Sequence, residues 1–220
     1  MIHPSTLDFL RKLKKNNNRD WFEKNKLHYA AAKDDVENNV GQILNEIRAF
    51  DKRISPDLIA KKCMFRIYRD VRFSKDKRPY KNNLGASMNP GGKVELAPGY
   101  YMHIEAGGAF LAGGIWQPPA PELAKIRQEI DYNFDEFKKI IADKSFRKYF
   151  GEFDQDDKLK TAPKGYPKDH PALDYLKLKS FVVVSQLTDK EVLSRNFTKN
   201  VATIFKAMLP LNNFLQRALD

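Results

Sequence analysis

The chain has 220 residues at 25.5 kDa, is 42% hydrophobic and 12% aromatic, and carries a formal charge of +11. Folding a chain of this size buries roughly 70% of its unfolded surface, so no metal or disulfide staple is required, and 15 Phe, 9 Tyr and 2 Trp exclude wholesale disorder. The single cysteine, Cys63, excludes an internal disulfide and any Cys-x-x-Cys zinc or redox site, which suits a reducing compartment.

The elements follow in chain order. Ser5-Thr6-Leu7-Asp8 has the spacing of a capping box, and Leu7, Leu10 and Leu13 follow at helical intervals until Asn16-Asn17-Asn18. A longer helix is expected from about Asp20, with Val36, Val40, Ile43, Ile47 and Phe50 on one face and Pro56 beyond its end. From Met64 to Phe73 the period becomes two. Phe65, Ile67, Val71 and Phe73 take the odd positions, while Arg66, Tyr68, Asp70 and Arg72 take the even ones, which predicts a half-buried strand followed by a loop from Ser74 to Lys81. Strands are predicted near 83–88, 100–106 and 109–116, separated by the turn signals Asn89-Pro90-Gly91-Gly92 and Gly107-Gly108. Helices follow near 121–131 and 134–150, with Asn133 or Asp135 as the cap of the second. Residues 151–170 read as an irregular loop, then a short helix after Pro171 and a buried strand at Phe181-Val182-Val183-Val184. Thr188-Asp189-Lys190-Glu191 is a second capping box. It opens a helical region carrying Phe197, Val201, Ile204, Phe205 and Met208, with Pro210 starting a final turn or helix. Strands bracketed by helices without strict alternation predict an α+β fold: an antiparallel sheet flanked by N- and C-terminal helices, in a single domain over residues 1–220.

The positive charge is local. Residues 61–81 hold nine Lys and Arg against Asp70 and Asp76, a net +7 of the total +11. Such a focus has the character of an anion-binding surface rather than a uniformly basic coat. The start of the chain lacks the apolar run of a signal peptide. The longest uncharged stretch, Ala106 to Pro121, is too short and too rich in Gly and Pro to span a bilayer, so a cytoplasmic location with no membrane partner is expected.

The run Phe65-Arg66-Ile67-Tyr68-Arg69-Asp70-Val71-Arg72-Phe73-Ser74-Lys75-Asp76-Lys77-Arg78-Pro79-Tyr80-Lys81 resembles the signature of a mainly bacterial family, domain of unknown function 2461. Tyr100-Tyr101-Met102-His103-Ile104, Gly113-Gly114-Ile115-Trp116-Gln117-Pro118 and Gly165-Tyr166-Pro167-Lys168-Asp169-His170-Pro171 are similar to that family's other blocks, in the same order. The resemblance implies a full-length, single-domain member. It brings no activity and no catalytic residues.

Arginines pair bidentately with phosphate or carboxylate, lysines add mobile charge, and interleaved aromatics can stack on a base or sugar. Arg66, Tyr68, Arg69, Asp70, Arg72, Lys75, Tyr80, Lys81 and Trp116 are therefore the candidate ligand-binding residues. The competing reading is a solvated edge in which Asp70 and Asp76 pair internally with arginines. His103 and Glu105 share a strand face beside Tyr101, and the carboxylate is expected to orient the imidazole and raise its pKa. Asp169 and His170 form a second acid/base pair, with a turn or cap in which Asp169 accepts as the plainer alternative. The glycine pairs do not make a phosphate loop, and no pattern marks a Ser or Cys nucleophile or a metal site. Two functions remain. One is binding of a phosphate-bearing ligand, nucleic acid or nucleotide, without a cofactor. The other is an enzyme acting on an anionic small substrate, with His103 or His170 moving a proton.

Overall fold

The computed structural model describes residues 1–220. Ten helices and a four-stranded antiparallel sheet make an α+β fold, with helices at both termini. The helices are α1 (Pro4–Lys15), α2 (Arg19–Lys24), α3 (Lys26–Arg48), α4 (Ala60–Cys63), α5 (Ala120–Tyr132), α6 (Phe134–Ala142), α7 (Lys144–Tyr149), α8 (Leu173–Leu176), α9 (Asp189–Val192) and α10 (Phe197–Arg217). The strands β1 (Leu84–Met88), β2 (Gly99–Ile104), β3 (Phe110–Ile115) and β4 (Phe181–Gln186) are hydrogen-bonded in chain order. No helix is long and apolar enough to cross a membrane.

The chain forms two compact units. The first comprises Met1–Glu95, Tyr101–Leu111 and Gln186–Thr203. Here α1 packs on α3 and α3 on β1. Their apolar faces, Leu7, Leu10, Val36, Val40, Ile43 and Ile47, are buried, as are Leu84, Ala86, Met88, Met102 and Ile104 on one side of the strands. The alternate residues Tyr101 and His103 stay half-buried, so the strand period divides a core face from an accessible polar one. An aromatic cluster secures the start of the unit, with Phe22 stacked on Tyr80 at 3.9 Å and in edge or tilted contact with Tyr29 and Tyr68.

The second unit comprises Leu96–Tyr100, Ala112–Ser185 and Ile204–Asp220. Tyr100 meets Phe205 of α10 at 4.9 Å. Phe214, two and a half turns further along α10, meets Phe137 of α6 at 5.3 Å. Gly113 is required here, because a Cβ would overlap the Met208 sulfur and approach the Gly99 carbonyl. Arg217 joins the ends of α5 and α6 through Glu129 and Glu136.

Several predicted boundaries move, for local reasons. The first capping box does not form: the helix starts two residues earlier, at Pro4 with His3 as its cap, His3 accepts the Ser5 N–H, and Asp8 pairs with Arg11 instead. The expected helix from Asp20 divides into α2 and α3 at Asn25. Asp143 divides the next by accepting the Ser145 and Phe146 N–H groups, whereas Asn133 makes no side-chain cap for α6. Pro210 starts nothing, since α10 runs through it, anchored by Phe205, Met208, Leu211 and Phe214 in the core. The Thr188–Glu191 capping box is complete in both directions.

The largest correction concerns residues 64–73. They form no regular strand and touch their neighbour through two isolated antiparallel bridges, Met64 with Ala86 and Tyr68 with Tyr80. Four residue steps on one side face six on the other, and since the Lys81 N–H donates to the Ile67 carbonyl and the Phe65 N–H to the Gly85 carbonyl, the two extra residues fall between Lys81 and Gly85. The alternation survives to Ile67, which is buried, and then fades. Phe73, expected on the apolar face, is 96% exposed.

Candidate functional site

The basic segment separates into a hairpin tip and a base. At the tip, Arg69 pairs with Asp76 at 2.6 Å and donates to the Arg78 carbonyl, while Asp76 also holds Arg78 at 2.7 Å. Asp70 pairs with Arg72 at 2.6 Å through both carboxylate oxygens. These arginine hydrogen bonds hold the carboxyls of both aspartates below their ordinary range. Lys77 donates back to the Val71 carbonyl, so the loop folds onto the segment that leads into it. Lys75 and Phe73 are exposed.

The base is different. Arg66 is exposed and has neither a hydrogen bond nor a carboxylate partner, although its charge reaches both Asp70 and Lys81. Lys81 is half-buried, its ammonium 5.3 Å from the centroid of the Phe65 ring. Burial first, and the Arg66 charge second, lower its pKa from the ordinary lysine value. Tyr80, between these residues and the tip, is 4% exposed, and its backbone N–H donates to Asn17. Its ring is committed to Phe22. Tyr68 remains 47% exposed.

The polar face of β2 adjoins the base through Phe65. The Phe65 and Tyr101 rings meet edge-on at 6.1 Å. Tyr101 lies flat across Gly85 of β1, where a Cβ would come 2.6 Å from the hydroxyl; the glycine makes room for the phenol. From there a line of polar groups runs along the strand. Tyr101 Oη lies 3.3 Å from His103 Nδ1, His103 Nε2 lies 3.3 Å from Glu105 Oε2, and Lys14 of α1 donates to Glu105 Oε1 at 2.8 Å. A ring N–H directed at Glu105 leaves Nδ1 to accept from the phenol. Phe110 of β3 stacks on the imidazole at 4.4 Å.

Burial lowers the His103 pKa, and Glu105 opposes the shift without overcoming it, contrary to the expected increase. Burial also works to raise Glu105, but hydrogen bonds from Lys14 and His103 outweigh it and hold the carboxyl below its usual value. The Tyr101 phenol is pushed up by burial, against a hydrogen bond from Asn83. At neutral pH the line is thus carboxylate, neutral imidazole and phenol.

The remaining candidates lie elsewhere. In the second unit, His170 Nε2 bonds Asp131 at 2.8 Å, and Nδ1 accepts the Ala172 N–H at 3.0 Å. One ring nitrogen is held by Asp131 of α5 and the other by the loop entering α8, and His170 rather than Asp169 is the acceptor of that turn. Asp169 is exposed. Trp116, also of the second unit, is 65% exposed beside Gln117, whose φ of 45° is held by the Ser180 hydroxyl. Cys63 is buried, and desolvation pushes its thiol up to about 11. Sequence reasoning placed His103, Glu105 and Tyr101 on one face. It assigned Phe65 only to an apolar strand face and missed Gly85, Phe110, Asn83 and Lys14, of which Phe110 and Gly85 had a strand-parity signal to find them by.

Comparison with curated proteins and with solved structures gives no match. The family model described as "Conserved hypothetical protein (DUF2461)" matches residues 5–214, nearly the whole chain and all of the blocks quoted above, and the chain belongs to that family.

Proposed function

We propose that the protein binds a small phosphate-bearing ligand at the base of the basic hairpin, where Arg66 and Lys81 stand beside Phe65 and Tyr101. The carrying observation is the absence of any carboxylate partner for either cation, within a segment whose other arginines are all paired. An arginine with its full set of donors available is a bidentate phosphate ligand, and a half-buried lysine beside it adds charge at reduced dielectric. A small ligand is favoured over nucleic acid for two reasons. The Arg–Asp pairs interrupt the positive stripe that a polynucleotide backbone would follow, and Tyr80 is packed away from any base that could stack on it.

Titration calorimetry with inorganic phosphate, a nucleoside triphosphate and a 20-nucleotide oligothymidylate tests this reading. Phosphate and the triphosphate should bind, and Arg66→Ala should weaken that binding roughly 10- to 100-fold, the effect of a charge-assisted hydrogen bond. Lys75→Ala at the tip should leave it unchanged. Equal losses at Arg66 and Lys75, or binding confined to the oligonucleotide with a steep salt dependence, would refute it. An enzymatic reading is favoured by one specific observation, the Tyr101–His103–Glu105 line beside the same ring.

A further inference from the structure

The second unit holds a cleft of about 620 Å³, lined by α7, α8 and the loop that follows Phe150. That volume falls within the range of about 300–1,000 Å³ that small-molecule sites occupy. Its floor is aromatic: Phe146, Phe150 and Phe153 are buried, and half-buried Tyr175 of α8 meets Phe153 edge-on at 6.1 Å. Backbone hydrogen bonds fix the walls. Asp143 caps the start of α7, and the Phe150 N–H closes its end on the Phe146 carbonyl. The Asp154 N–H donates to the Val182 carbonyl of β4, and the Leu159 N–H to the Lys177 carbonyl just after α8. A loop tied at both ends in this way is ordered before a ligand arrives, which lowers the entropy cost of binding.

Four charged side chains line the same cleft. Lys158 and Asp174 meet at 3.4 Å. Arg147 and Glu152 are exposed, have neither a hydrogen bond nor an ion pair from their side chains, and do not pair with each other. Burial, with the Asp174 and Glu152 carboxylates, pushes the Tyr175 phenol above its ordinary value against the pull of Arg147, so both unpaired charges act on this wall. An aromatic floor with one free guanidinium and one free carboxylate is satisfied by an apolar ligand that carries both charges. A ligand with a single charge would cover the other group and leave it without a partner.

We propose that this cleft binds an aromatic α-amino acid as its zwitterion: the ring lies on Phe146, Phe150 and Phe153, the carboxylate takes the Arg147 fork, and the ammonium donates to Glu152. The site shares no residue with the basic hairpin and does not depend on the anion site at Arg66.

Calorimetry and two-dimensional amide NMR on the full chain test this with four probes. L-Phenylalanine should bind once per chain, with shift changes centred on residues 141–158 and 173–178. 3-Phenylpropanoate lacks the ammonium, 2-phenylethylamine lacks the carboxylate, and L-alanine lacks the ring. Each should bind at least about tenfold more weakly, the effect of losing one charge-assisted contact or the buried ring. Arg147→Gln should weaken L-phenylalanine about tenfold or more and leave 2-phenylethylamine unchanged. Glu152→Gln should weaken it by as much and leave 3-phenylpropanoate unchanged. Both side chains are exposed, and the amide spectrum reports that the variants are folded. A one-charge probe that binds as tightly as L-phenylalanine, or wild-type affinity in either variant, overturns the zwitterion assignment. The absence of saturable binding, or shift changes centred on other residues, overturns the site itself.

Discussion

The tip and the base of the basic hairpin are a few residues apart in sequence and opposite in physical character. At the tip, charges of both signs are exposed and satisfy one another: Arg72 with Asp70, and Arg69 and Arg78 with Asp76. At the base, Arg66 and Lys81 share no carboxylate, Tyr80 is buried, and the polar face of β2 is close at hand through Phe65. Net charge therefore does not locate a site. Nine basic residues raise the local field, but the two aspartates engage Arg69, Arg72 and Arg78 at the tip and leave Arg66 and Lys81 at the base without a carboxylate. The same lesson holds for the two histidine–carboxylate pairs. His170 has both nitrogens tied to the fold, one by a backbone N–H, whereas His103 hands its second nitrogen to a phenol.

The sharpest contrast is in stability. Tyr80→Ala at the base removes a buried ring stacked on Phe22 and should cost roughly 3–5 kcal/mol, a fall of about 10 °C in the thermal melt of a chain this long. Phe73→Ala at the tip, where the ring is in water, should leave the melt unchanged. Similar losses at both would mean that the tip is packed in solution and that the division is false.

A smaller effect is expected from pH. The folded His103 binds a proton less readily than the ordinary imidazole with its value of 6.5. The unfolded chain then holds more protons than the native one as pH falls through 6.5, so stability should decline over the acid side of that value and be complete above it. Glu105, also depressed, extends the decline below 4.5, since the unfolded carboxyl again protonates first. An imidazole titration followed by NMR should place His103 below 6.5, and Glu105→Gln should lower it further by removing the opposing charge. A His103 value above 6.5 would mean that the carboxylate outweighs burial, against the direction that the buried imidazole implies.

The smallest effect belongs to Asp70. Its pair with Arg72 is solvent-exposed, and exposed pairs contribute little. Asp70→Asn should leave the melting temperature within about 2 °C of wild type, the ordinary range for a surface substitution. A large fall would reveal a structural role for the tip.

Much of the fold was legible in the residues themselves. The α3 stripe of Val36, Val40, Ile43 and Ile47, the glycine turn before β3, the Thr188–Glu191 box and the four strands each rest on a local period or a local hydrogen bond, which adjacent sequence specifies. The alternation of Tyr101, His103 and Glu105 placed them on one face for the same reason. Tertiary structure alone decided which face of each element was covered, and by what. No local rule could show that Phe22 would take Tyr80 out of the surface, that Gly85 would leave space for a phenol, or that Lys14 from the first helix would close the line at Glu105. Residues 64–73 show the limit most directly. Their period of two is genuine, but a strand needs a partner in register, and the bulge between Lys81 and Gly85 breaks the register that the pattern assumed. Period is a property of one segment. Pairing, burial and the surviving charge of Arg66 and Lys81 are properties of several segments brought together, and only the folded chain contains them.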